Sequence, residues 1–124
     1  MSRKVQSQPD IAARCRNAVV AVEDRKGQNL RVLELSEISS LADYFLICSG
    51  NSERQVQAIA DAVVERLRAD KVRPHHVEGY QPGRWVLLDY GDFVVHVFDD
   101  STRTFYALEK LWADAPDVTA EFVQ

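Results

Sequence analysis

The chain has 124 residues, 46% of them hydrophobic and 27% charged, with a formal net charge of −4. That length suits one domain with a core of its own, and an ordinary globular composition argues against a disordered or fibrous chain. The polar N-terminal stretch Met-Ser-Arg-Lys-Val-Gln-Ser-Gln-Pro-Asp does not read as a secretory signal, and no later run is long enough to cross a bilayer. The two cysteines, Cys15 and Cys48, each fall inside an apolar pattern. They read as buried thiols in a reducing compartment, hence a cytoplasmic address.

Residues 1–8 are polar and aperiodic, and are expected to form a flexible arm. A helix is predicted over about Pro9–Lys26, with Ile11, Cys15, Ala18, Val19 and Val22 on one face and Gly27 as its stop. Leu30–Leu35 reads as a first strand. The unbroken apolar run Tyr44–Cys48 reads as a second, covered on both faces. Ser52 and Gln55 have capping-box spacing at the head of a second helix, and Val56, Ile59, Ala60, Val63, Val64 and Leu67 form its apolar stripe. Val77–Gly79 is a short third strand. Strand, helix and strand at this spacing form a βαβ unit, for which parallel pairing is expected. Two further strands, Trp85–Leu88 and Phe93–Phe98, flank the turn residues Asp89-Tyr-Gly-Asp92 and should pair as an antiparallel hairpin. A last helix is predicted over about Thr104–Trp112, and a tail from Pro116. The fold class is therefore α/β of mixed α+β type: one five-stranded mixed sheet with a βαβ unit, a C-terminal hairpin and helices packed on it. The domain spans residues 9–115, between the arm at 1–8 and the tail at 116–124.

Charge is unevenly spread. Residues 1–83 hold 12 basic and 11 acidic side chains, whereas residues 84–124 hold 3 basic and 8 acidic ones. An acidic final third is a poor surface for phosphate backbones and a good one for a basic protein. With a pI near 5.3 and no basic stripe, direct RNA binding is disfavoured.

The candidate sites divide by chemistry. The turn Ser49-Gly-Asn-Ser52 could hold a phosphate at a helix start, but a tight turn with an N-cap explains it as well. Metal-assisted phosphoryl transfer needs two carboxylates on one face, which a strand supplies as Asp-x-Asp. This chain contains no Asp-x-Asp; Asp99 and Asp100 are adjacent, so they diverge, and Asp89 and Asp92 flank a turn. His75 and His76 diverge on extended backbone, and His96 stands alone in an apolar strand, so no zinc spacing emerges and no metal or cofactor is expected. Trp85 opens the fourth strand after Gln81-Pro-Gly-Arg84, with Asp89 four residues later on the same face. It reads either as core or as an exposed hot spot ringed by charge. Tyr80, Tyr90 and Tyr106 carry the same ambiguity.

Four segments together resemble one family. They are Ala42–Asp61, Val77-Glu-Gly79 with Trp85, Leu87–Phe98, and Phe105-Tyr-Ala-Leu-Glu-Lys-Leu-Trp112. In order and spacing they are similar to the ribosomal silencing factors, or Iojap family, over roughly residues 10–115. The resemblance implies a nucleotidyltransferase-like fold without a catalytic centre. It implies binding to protein number fourteen of the large ribosomal subunit. The small subunit is then sterically kept from joining, and translation is repressed when nutrients are limiting. It implies a homodimer when free, with no membrane and no sequence-specific nucleic acid as partner. Matched position by position, the resemblance implies Glu78, Gly79, Trp85, Asp89, Asp92, His96 and Tyr106 as partner-binding residues; the acidic excess of this third of the chain adds the expectation of a patch with Trp85 as apolar anchor and Glu78, Asp89 and Asp92 as its acidic surround. The alternatives are a nucleotidyltransferase-like enzyme with atypical metal ligands, for which Asp43 is the nearby acid, and a dimerisation module in another complex.

Overall fold

The computed structural model describes residues 2–123, with side chains from Ile11 onward. Its elements are α1 (Ser2–Asp24), β1 (Gln28–Glu34), β2 (Tyr44–Gly50), α2 (Glu53–Ala69), β3 (His76–Glu78), β4 (Trp85–Asp89), β5 (Phe93–Asp99), α3 (Asp100–Tyr106), α4 (Leu108–Leu111) and α5 (Thr119–Phe122). None of the described helices is long and apolar enough to cross a membrane. The first helix begins at Ser2, ahead of the expected Pro9; the side chains of the arm expected over residues 1–8 lie outside the described ones.

The strands form one five-stranded sheet in the order β1-β2-β5-β4-β3. β2 and β5 run parallel, with Leu46 opposite Val95 and Cys48 opposite Val97. β4 and β5 form the expected antiparallel hairpin, with Trp85 opposite Phe98 and Leu87 opposite His96. The βαβ expectation needs correcting in its pairing. β3 runs in the same direction as β2, but β5 and β4 lie between them, and β3 is hydrogen-bonded antiparallel to β4 at the sheet edge. The reason is length. A three-residue strand with every side chain exposed cannot occupy the sheet centre, where β5 buries six consecutive residues.

α1 and α2 cover one face of the sheet. Val19, Val22, Val56, Ile59, Val63 and Leu67 close over Leu46, Cys48, Val86, Leu88, Val95 and Val97. Both cysteines are free and fully buried there, and burial pushes the Cys48 thiol up to about 12. α2 starts as its sequence demands. Ser52 Oγ accepts from Gln55 N at 3.0 Å, and Gln55 Oε1 accepts from Asn51 N at 2.7 Å. Two N–H groups of this turn, those of Asn51 and Gln55, are thus bonded within the capping box, so the turn acts as a cap.

On the second face, Leu33, Leu35, Phe45, Ile47, Val94 and Phe98 pack beneath Leu108 and Ala115, with Trp112 alongside. The last helix is not continuous. Asp99 Oδ1 accepts from Thr102 N at 2.8 Å and so starts α3 at Asp100, and a left-handed Ala107 (φ 49°, ψ 49°) separates α3 from α4. The expected tail is docked: Val118 N donates to Val32 O at 2.8 Å, Arg31 pairs with Asp117, and Phe122 is buried against Tyr44 at a centroid distance of 5.2 Å. These contacts seal the outer edge of β1, whereas β3 has no strand on its outer side among the described residues.

Candidate partner-binding face

Side chains alternate along a strand, so register decides which residues share the second face. Three cross-strand rows result. Trp85 lies beside Phe98 and Ser49. Glu78, Leu87, His96 and Ile47 form the middle row. His76, Asp89, Val94 and Phe45 form the third. The helices α3 and α4 cover the β1–β2–β5 side of this face and leave the β4–β3 side open, where Trp85 and Leu87 are half-buried and Glu78 is exposed.

Trp85 is held on three sides. Its ring stacks on Phe98 at a centroid distance of 4.8 Å and meets Tyr106 at 4.9 Å. Its indole N–H donates to His96 Nδ1 at 3.1 Å. An indole N–H can only donate, so Nδ1 carries the lone pair and the neutral ring carries its proton on Nε2. That nitrogen is buried and has no hydrogen-bond partner among the described residues. Burial lowers the His96 pKa to about 4, with the Asp89 charge acting in the opposite sense. His96 is 3% exposed, and Phe45 meets its ring edge-on at 4.6 Å. It is an internal support for Trp85, not a surface contact.

The remaining expected residues fall in different places. Gly79 takes φ +77°, and a Cβ there would lie 2.0 Å from the Trp85 carbonyl oxygen. Glycine is thus required where the chain leaves β3 to pass the start of β4. Tyr106 is 51% exposed on α3 beside Trp85. Asp89 shares the face, but it lies four residues along β4 from Trp85, roughly 13 Å at strand spacing. Its Oδ1 accepts from Gly91 N at 2.8 Å in the hairpin turn. Asp92 is exposed in the same turn, beyond the face, and its carbonyl accepts from Asp43 N at 2.7 Å. The acids therefore line the hairpin end and do not ring Trp85. Glu78, one strand over, is the acid nearest the Trp85 end of the face. Tyr90 is core, 6% exposed and stacked on Phe93.

Sequence reasoning missed Leu87 and Phe105. Leu87 was accessible in principle, since it sits two residues from Trp85 and must share its face. On an unbroken helix over Thr104–Trp112, Phe105, Leu108 and Leu111 would fall in one stripe. The break at Ala107 turns that stripe, burying Leu108 while leaving Phe105 80% and Leu111 75% exposed. Phe105 and Tyr106 on one side, Gly79, Pro82 and Arg84 on the other, and Trp85 between them line an open groove of about 550 Å³.

Fold and face together define a single-sheet α/β domain with one side closed by two long helices and the other presenting aromatic side chains to solvent. The chain belongs to the ribosomal silencing factor family: a family model described as "Ribosomal silencing factor during starvation" matches residues 8–124. It is 50% identical over 106 residues to the ribosomal silencing factor of Halalkalibacterium halodurans, covering 86% of this chain and 91% of that one. It is similar to a crystal structure of a Chromobacterium violaceum protein at 38% identity with a TM-score of 0.80, covering 82% of this chain and 84% of that one. It is also 31% identical over 97 residues to a mouse protein named "Mitochondrial assembly of ribosomal large subunit protein 1", covering 76% of this chain and 42% of that protein.

Proposed function

We propose that this protein acts in the cytoplasm by docking the open sheet face on protein number fourteen of the large ribosomal subunit, so that the small subunit cannot join. The observation that carries the reading is the half-buried Trp85, fixed by Phe98, Tyr106 and His96 at the boundary between the closed and open parts of one sheet face. A rigid, partly exposed aromatic beside further exposed apolar surface is the composition of an interface hot spot. Glu78, Asp89 and Asp92 along the β3–β4–hairpin side add negative charge, which suits a basic partner and steers its approach. The family's name supports silencing of ribosomes, and the mouse relative's name supports the large subunit as the particle bound. Repression by this route needs no chemistry on a substrate; it needs only occupied space. A free homodimer is part of the same proposal, with subunit binding competing against self-association.

The test is subunit joining. Purified protein is added to separated bacterial subunits at the magnesium concentration that normally joins them, and the mixture is sedimented. The expected result is a dose-dependent loss of joined particles, with the protein co-sedimenting with the large subunit. Full joining at saturating protein rules the proposal out.

A further inference from the structure

No residue of α3 is apolar and buried, yet the helix carries Phe105 and Tyr106, two of the most exposed aromatics among the described residues. Apart from the contact of Tyr106 with Trp85, the fastening of this helix is polar. Arg103 is the hub. Its Nη1 donates to Ser49 Oγ at 2.8 Å, at the end of β2, and its Nε donates to Glu109 Oε2 at 2.8 Å, on α4, with Nη2 reaching the same oxygen. Ser49 is 1% exposed, and the Arg103 and Glu109 side chains are 12% and 23% exposed. Burial raises the Glu109 pKa, but the Arg103 hydrogen bonds and charge outweigh it and hold the carboxyl below its ordinary range.

The pair is tied to the break in the helix. Residues six apart on a continuous α-helix point about 120° away from one another and lie nearly two turns apart. Arg103 and Glu109 meet only because the left-handed Ala107 turns the chain between them. One guanidinium thus fixes the sheet, α3 and α4 at a single angle, and that angle brings Tyr106 against Trp85.

We propose that Arg103 is the positioning residue of the partner-binding face: by spanning Ser49 and Glu109 across the Ala107 turn, it sets how α3 presents Tyr106 and Phe105 beside Trp85. This rests on the reading of the face given above. With so little of its side chain free, Arg103 is not itself a contact. Lysine keeps the charge but carries its N–H donors on one nitrogen, and cannot span both partners as this fork does.

The experiment is a double-mutant cycle read by binding to purified bacterial large subunits, with thermal melts of each variant. Arg103→Lys is expected to weaken binding about tenfold while the melting transition stays cooperative. Tyr106→Ala is expected to weaken binding of the parent by a similar factor, but by less than about twofold once Arg103 is Lys, because the ring is by then already misplaced. Multiplied losses, or an Arg103→Lys protein that binds like the parent, overturn the proposal. If Arg103→Lys does not fold, Glu109→Gln enters the same cycle with the same two outcomes. Trp85→Ala separates the two levels. If it binds like the parent, the reading of the face fails; if it fails to bind while Arg103→Lys binds normally, only the positioning role fails.

Discussion

On one face of the sheet, α1 and α2 lay aliphatic side chains over Leu46, Cys48, Val95 and Val97, and every one of these strand residues is fully buried. On the other face the same strands carry Phe45, Ile47, His96 and Phe98, and their cover is two short helices, a left-handed turn and an arginine bridge. Among the described residues, the buried side chains of the first face are aliphatic, aromatic or thiol, the Tyr90 hydroxyl being its one buried oxygen, whereas Ser49 and His96 are buried on the second. Dispersion and hydrophobic transfer reward the first arrangement with stability. Buried polar groups and half-exposed aromatics add less stability for their area, but they hold a surface in one defined shape. Stability and recognition are thus assigned to opposite sides of a sheet only one residue thick.

A cavity on the closed side tests this division most severely. Leu46→Ala removes a fully buried side chain from beneath α1 and α2 and is expected to cost about 2–5 kcal/mol of unfolding free energy. Urea denaturation measures it. The same variant, assayed where it remains folded, should bind large subunits as the parent does. A large binding defect in a folded Leu46→Ala protein would break the comparison, because the two faces would then not be separable.

The second perturbation concerns pH and the open side. The native imidazole of His96 titrates near 4, against an ordinary value of 6.5. Between those values the unfolded chain takes up a proton that the native protein refuses, so this group withdraws stability as pH falls from 6.5 to 4; above 6.5 it makes no pH-dependent contribution. His96→Leu removes that dependence. The parent's loss of unfolding free energy between pH 7 and 4.5 should exceed the variant's by on the order of 2–3 kcal/mol. Carboxylates common to both proteins cancel in the difference. Identical pH dependences would show that the ring is not sealed beneath the open face as described.

Both faces were legible in the sequence to different depths. The Tyr44–Cys48 run, the Ser52–Gln55 cap and the Val56–Leu67 stripe led directly to β2 and α2, because each is a local pattern with one good physical solution. The alternation Trp85-Val-Leu-Leu-Asp89 likewise placed Trp85 and Asp89 on one face. The position of β3 was not legible, since three residues carry no signal for which strand they border. The break at Ala107 was hidden as well. Alanine is a strong helix former, yet here it is the left-handed C-cap of α3, its N–H donating to Arg103 O, with Arg103 and Glu109 paired across the turn. That one residue turns Phe105 out of the stripe an unbroken helix would give it and leaves it on the surface. The motif residues separate accordingly: Gly79 and His96 serve the geometry of the face, while Trp85, Tyr106 and Glu78 remain accessible on it.

The smallest of these effects in energy is the most discriminating. Trp85→Ala is expected to lose about 2 kcal/mol of large-subunit binding, roughly thirtyfold in affinity, while remaining folded. The ring is half-buried and leans on Phe98 and Tyr106, so its loss disturbs stability less than a cavity beneath α1 and α2 does. Trp85→Phe divides the contribution further. Phenylalanine keeps the stack on Phe98 and most of the apolar surface, and lacks only the N–H that engages His96 Nδ1 at 3.1 Å. If apolar anchoring dominates, the Phe variant binds close to the parent in a sedimentation titration. If the hydrogen bond to His96 sets the ring's orientation, Phe falls midway between parent and Ala, and His96→Leu lowers affinity by the same factor. A Trp85→Ala protein that binds undiminished removes the open face from the interface altogether, because no other residue there combines fixed orientation with comparable apolar area.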